Sequence, residues 1–111
     1  MPVCQVTVVP LGTATPSVSS YVAGCQKILE DAPTLRYQLT PMATVIEGPL
    51  ADILQAVARM HQVPFEMGAL RVSTTLVIDD RRDKELTMQG KMASVERKLS
   101  AGSSPTPGKD A

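Results

Sequence analysis

Glu47 is the only carboxylate in the run 43–48 (ATVIEG), a strand-like segment that is otherwise uncharged. An ionised carboxylate only accepts hydrogen bonds, so it suits an amine, an aminopyrimidine or a cationic ligand. The pattern also allows a plainer role. If Pro41-Met42 is a two-residue turn, Thr40 faces Ala43, Leu39 faces Thr44, Tyr37 faces Ile46 and Arg36 faces Glu47. Glu47 is then half of a cross-strand ion pair, typically worth about 0.2–1 kcal/mol. Both roles stay open on the sequence.

The other reactive residue types form no catalytic set. His61 has no second His to work with, and near the end of a helix it suits a cation at the negative end of the macrodipole. Asp79 and Asp80 are neighbours at a strand end and point to opposite faces, which argues against a carboxylate pair. Signs alternate densely from Asp79 to Glu85 (DDRRDKE). That run is either a solvated, self-neutralising surface or a source of reciprocal Arg–carboxylate pairs across a subunit boundary. Cys4 and Cys25 lack the Cys or His neighbours of a zinc site and read as reduced, buried thiols. Pro10-Leu11-Gly12-Thr13 lacks the glycine spacing and lysine of a phosphate loop and reads as a turn before a helix. Without a nucleophile–base pair, metal cluster or cofactor loop, the expectation is a protein that is not an enzyme and carries no cofactor or metal.

The elements that would position these residues follow from periodicity. Val3 to Leu11 (VCQVTVVPL) is a β-branched run and predicts a first strand. A helix is expected from about Ser17 to Ala32, where Val18, Tyr21, Val22, Cys25, Ile28 and Leu29 recur at three-and-four spacing and Pro33 ends the run. Leu35 to Thr40 and Ala43 to Gly48 form the hairpin. A second helix is expected from about Leu50 to Gln62, then a connection over 63–68, a fourth strand from Leu70 to Ile78 and a short helix from about Met88 to Leu99. Residues 100–111 (SAGSSPTPGKDA) have the composition of a disordered tail, so the folded domain is expected to span 1–99. The order strand, helix, strand, strand, helix, strand is the split βαβ of an α+β, ferredoxin-like fold, with a four-stranded antiparallel sheet and two helices on one face. Its other face would carry Thr7, Val9, Gln38, Val45, Ser73, Thr75 and Val77. That surface is too apolar for open solvent and predicts a homo-oligomer joined through the sheet.

Composition sets the outer bounds. A chain of 111 residues is one domain, and 43% hydrophobic residues are enough for a core. Aromatics are only 3%, so the core is aliphatic and an aromatic cage would be sparse. Eleven Lys and Arg balance eleven Asp and Glu, which argues against a nucleic-acid surface. No apolar run reaches the roughly 18 residues of a membrane span, and no basic segment precedes an apolar leader, so the expected location is the cytoplasm.

Four stretches in order carry a family resemblance. They are Val8-Val9-Pro10-Leu11-Gly12-Thr13, Ser17-Val18-Ser19-Ser20-Tyr21-Val22, the hairpin from Tyr37 to Gly48, and the strand from Arg71 through Asp83. Together they resemble the small thiamine-binding protein family over roughly residues 3 to 99. The resemblance implies a ferredoxin-like subunit, dimers joined through their sheets, commonly a homotetramer, and binding of thiamine or its pyrimidine part without catalysis. Under it, Glu47 would accept from the exocyclic amine or balance the thiazolium. Thr40 and Thr44 would bond the pyrimidine edge with help from Thr7, and Tyr37, Met42 and Phe65 would form walls. Ala43 stands where the family commonly has Gly, and its methyl narrows a site beside the turn. In the tight-turn register Thr44 and Glu47 point to opposite faces, so one ligand would meet both only through a twist, a bulge or a second subunit.

The leading expectation is therefore a cytoplasmic vitamin carrier, buffer or sensor. The alternative is a structural or regulatory homo-oligomeric module without a small-molecule ligand.

Overall fold

Alternating β-branched residues and two amphipathic stripes build one sheet and its helical cover. A computed structural model describes residues 1–14, 17–83 and 87–101. The elements run β1 (Val3–Leu11), α1 (Ser19–Glu30), β2 (Arg36–Leu39), β3 (Thr44–Glu47), α2 (Leu50–Glu66), β4 (Arg71–Asp79) and α3 (Met88–Ala101). The sheet is antiparallel, in the order β2-β3-β1-β4. This is the ferredoxin-like α+β architecture with an added C-terminal helix. Of the tail expected to be disordered, residues 102–111 lie outside the described residues.

The period of two sorts β1. Cys4, Val6 and Val8 turn toward the helices, while Val3, Gln5, Thr7, Val9 and Leu11 share the open face. Cys4, Val6 and Ile46 meet Cys25 and Leu29 of α1 and Ile53, Val57 and Met60 of α2 in one core. Each fully buried aliphatic side chain there contributes roughly 1.5–3 kcal/mol. Gly24 permits the close approach of the two helices, since a Cβ on it would lie 2.8 Å from Val63 Cγ1. Gly48 ends the hairpin with φ +157°, and a Cβ there would lie 2.5 Å from Leu35 Cδ2 and 3.0 Å from the Thr34 carbonyl oxygen.

The hairpin register is the tight-turn one. Arg36 pairs with Glu47, Tyr37 with Ile46 and Leu39 with Thr44, and the Thr40 N–H donates to the Ala43 carbonyl at 2.8 Å.

The largest boundary difference from expectation is at the end of α2. α2 does not stop near Gln62 but continues through Pro64 to Glu66. An interior proline leaves the carbonyl four residues back without its helical donor, here that of Met60. The Cys25 thiol donates to that carbonyl at 3.5 Å. The Pro64 ring itself is fully buried, and the Ala69 N–H donates to the Pro64 carbonyl at 2.9 Å to close the helix end.

α3 leaves the helical layer and starts against the open face. The Met88 N–H donates to Glu47 Oε2 at 2.7 Å, and Lys91 Nζ bonds Asp79.

Candidate functional site

Unequal strand lengths shape the most distinctive feature of the chain. β1 pairs with β4 along all nine residues, from Val3 to Leu11. Its pairing with β3 stops at Val6, because the hairpin arms are only four residues long. Residues Thr7 to Pro10 therefore have no strand on that side. Pro10 fits such a place, since it has no N–H to offer a neighbour. The missing corner of the sheet, roofed by the first turns of α1, is a cavity of about 710 Å³. Small-molecule sites commonly fall between roughly 300 and 1,000 Å³.

Its walls are residues 6–9 of β1, residues 40–44 at the turn, and Ser19, Val22, Ala23 and Gln26 on α1. No Asp, Glu, Lys, Arg or His lines it among the described residues. The polar groups are neutral. Gln26 Nε2 donates to Thr44 Oγ1 at 3.1 Å, and Thr44 is only 6% exposed. The Gln26 carboxamide oxygen and the Thr44 hydroxyl hydrogen have no protein partner among the described residues, so this pair can meet a ligand with both a donor and an acceptor. The Thr40 hydroxyl serves the turn: it donates to the Ala43 carbonyl at 2.7 Å and accepts from the Ala43 N–H at 3.1 Å. Val18 at the α1 N-cap makes no side-chain cap bond, which leaves the first-turn N–H groups beside the cavity to other acceptors. Cys25 also borders the cavity, and burial pushes its thiol pKa up.

Of the residues expected at a site, Thr7, Thr40, Met42 and Thr44 surround this cavity, with Met42 at its lip, 85% exposed. Tyr37, Glu47 and Phe65 do not line it. Tyr37 packs against the core from β2. Phe65 lies in the last turn of α2, edge-on to His61 with ring centroids 5.5 Å apart. Glu47 is on the open face, 8% exposed, where it accepts the Met88 N–H. Its cross-strand partner Arg36 approaches to 4.0 Å with a side chain 74% exposed, a geometry that contributes little. Thr44 and Glu47 do face opposite sides, as the register requires.

Among the cavity residues that the sequence reading missed, Gln26 is the one that hydrogen-bonds Thr44. A signal was present: it sits four residues after Val22 and three before Leu29, a polar residue inside a buried stripe.

The remaining groups are engaged elsewhere. His61 Nδ1 lies 2.7 Å from Thr74 Oγ1. Arg81 bonds Asp83 and Arg82 bonds Asp80, so these four residues of the charge cluster pair with one another. A second cleft of about 410 Å³ separates the open face at Gln5, Gln38 and Val45 from Met88 and Met92 of α3. Among the described residues no group of three His, Cys, Asp or Glu could hold a metal ion, and no helix is long and apolar enough to cross a membrane.

Comparison with known proteins agrees with this architecture. The chain is 49% identical over 102 residues to the UPF0045 protein YqgV of Bacillus subtilis, covering 89% of this chain and 98% of that one. It is 45% identical over 105 residues to a UPF0045 protein of Staphylococcus xylosus, covering 92% and 98%. The crystal structure of hypothetical protein MJ1052 from Methanocaldococcus jannaschii superposes with a TM-score of 0.80 at 34% identity, over 86% of this chain and 95% of that one. A putative thiamine biosynthesis/salvage protein from Thermotoga maritima shares the fold, with a TM-score of 0.69 at 19% identity over 85% and 97% of the two chains. The model of the family described as thiamine-binding protein matches residues 4–96, which takes in α1, β2, β3, α2 and β4 whole and β1 from Cys4 onward. The chain belongs to the thiamine-binding protein family.

Proposed function

We propose that this protein binds thiamine or a related pyrimidine in the cavity beside the hairpin turn and releases it unchanged. The observation that carries the reading is the cavity itself: small-molecule sized, apolar, lined by no Asp, Glu, Lys, Arg or His among the described residues, and polar chiefly at the Gln26–Thr44 pair and the Thr40 turn. Such a lining suits a neutral heteroaromatic ring whose edge carries both donors and acceptors. The pyrimidine would enter with its amino edge toward Gln26 and Thr44. The cationic thiazolium would stay near the open lip at Met42, where water solvates its charge. Glu47 is assigned to anchoring α3 and not to the ligand. The protein acts as a cytoplasmic carrier, buffer or sensor, without cofactor or catalysis, and as a homo-oligomer joined through its open sheet face. Family membership supports the ligand class, and the exposed Val9, Leu11 and Val77 on that face support self-association.

Isothermal titration with thiamine and with hydroxymethylpyrimidine tests the reading. Saturable binding to the wild-type chain is expected, with Gln26→Leu or Thr44→Val weakening it by about tenfold, the cost of one buried polar contact. Absence of binding to the assembled wild type overturns the function. Binding that neither variant weakens overturns the location.

A further inference from the structure

We propose that the cleft between the open sheet face and α3 is a second small-molecule site, suited to an uncharged purine base or nucleoside. It is separate from the cavity beside the hairpin turn and does not depend on what that cavity holds.

The way α3 is fixed creates the cleft. Glu47 and Asp79 both pair with Val3, one on each side of β1. The Met88 N–H donates to Glu47, and Lys91 Nζ bonds Asp79. The start of α3 therefore crosses the strands above this one row of the sheet and does not run along them. One flank of the helix stands as a wall beside the next row. The space in that angle is about 410 Å³, a size in the usual range of small-molecule sites.

The next row is the floor. Gln38 pairs with Val45 and Val45 with Gln5, so the three lie side by side on the open face. Strands are spaced about 4.8 Å apart, which sets the two glutamines about 9.5 Å from each other with Val45 midway. Both are exposed, and neither carboxamide has a hydrogen-bond partner among the described residues. Each carboxamide presents a donor and an acceptor in one plane. That pattern is the one by which Gln meets the amine and ring nitrogen of adenine. A purine carries donor and acceptor atoms on two sides, and its two fused rings span more of the gap than a single ring does. Val45 supplies the apolar surface on which it would lie.

The wall agrees with this occupant. Met88 and Met92 line it from α3, four residues apart and so on one side of the helix. Thioether sulfurs make favourable contacts at the edge of an aromatic ring. Asp79 and Lys91 are the only charged lining residues among those described, and they bond each other. The cleft thus holds no uncompensated charge to attract an ion. Ribose hydroxyls, which both donate and accept, suit such a pair, whereas a phosphate would compete with Asp79 for Lys91.

The two sites lie on opposite faces of one strand. Thr44 faces the cavity roofed by α1, and its neighbour Val45 faces the α3 cleft. Val9 and Leu11, farther along β1, do not line the cleft and remain for the subunit contact proposed above.

The test titrates the assembled full-length chain with adenosine, followed by calorimetry and by the side-chain amide NMR signals of glutamine. Saturable binding is expected, with the Gln5 and Gln38 amide signals moving and those of Gln26 staying in place. Gln5→Ala and Gln38→Ala, at exposed positions, should each weaken binding by about tenfold, the cost of one lost polar contact. Gln26→Leu should leave adenosine affinity unchanged. No saturable binding up to about 1 mM would overturn the site. Binding that neither glutamine variant weakens would overturn its location. Displacement of adenosine by thiamine, or weakening by Gln26→Leu, would put adenosine in the hairpin cavity and overturn the separate site. Adenosine monophosphate binding more tightly than adenosine would overturn the preference for an uncharged ligand.

Discussion

The backbone N–H of Met88 donates to Glu47 Oε2 at 2.7 Å, joining residues 41 positions apart in sequence. A buried carboxylate on a central strand thus serves as the N-terminal acceptor of a helix on the far side of the sheet. Glu47→Ala should lower stability by about 0.5–2 kcal/mol, the usual range for a lost helix cap. Denaturant melts measure that loss, and hydrogen exchange should show the amides of residues 88–91 losing protection while those of β1 keep theirs. Glu47→Gln retains an acceptor oxygen and should fall between wild type and Ala.

Gly48→Ala should be costly for a different reason. A methyl there meets the Thr34 carbonyl oxygen at 3.0 Å and the end of Leu35 at 2.5 Å, on a backbone with φ +157°. Leu35 can shift, but the carbonyl belongs to the chain entering β2. Urea denaturation should show a loss of about 1–3 kcal/mol, the cost of overpacking a closed site.

Alkaline pH should weaken the fold through its thiols. Burial, with Asp80 adding for Cys4, raises both thiol pKa values above the ordinary one. The folded state then holds protons that the unfolded chain releases. Stability is full below the ordinary thiol pKa of about 8.5 and declines as pH rises from there through the raised folded values. Melting temperatures recorded across that range should fall more steeply for wild type than for the Cys4→Ala/Cys25→Ala double variant. Parallel slopes would contradict the assignment.

Cys25 also reports on the cavity it borders. In a Cys4→Ser background, a small maleimide should modify Cys25 slowly, because the thiol is buried and bonded to the Met60 carbonyl. Saturating thiamine should slow the reaction further. Mass spectrometry of timed samples reads the rate, and a rate unmoved by ligand would place the ligand elsewhere.

What the sequence revealed depended on how local the signal was. β1 is bounded as its β-branched run predicts, and the Pro41-Met42 turn sets the pairing of Arg36 with Glu47 through local geometry alone. The continuation of α2 through Pro64 was hidden, since it depends on a thiol from another helix reaching the orphaned Met60 carbonyl. The grouping of Thr7, Thr40, Met42 and Thr44 was legible, because these residues flank one turn and one strand edge. The partner of Glu47 was not, because nothing in the strand pattern announces a helix N-terminus brought back across the sheet. Gln26 was overlooked because polar residues on a helix are ordinarily solvent-facing, and only the proximity of Thr44 gives this one its place.

The four-residue arms of the β2–β3 hairpin also act as a ruler. Each residue added to both arms would advance the turn along β1 by about 3.3 Å. Two such steps would zip the ladder past Thr7 and Val8 and fill the gap with backbone. The size of cargo admitted is therefore written in a strand length, a quantity that insertion or deletion at an exposed turn can change while the packing of Leu29, Ile46 and Ile53 stays as it is.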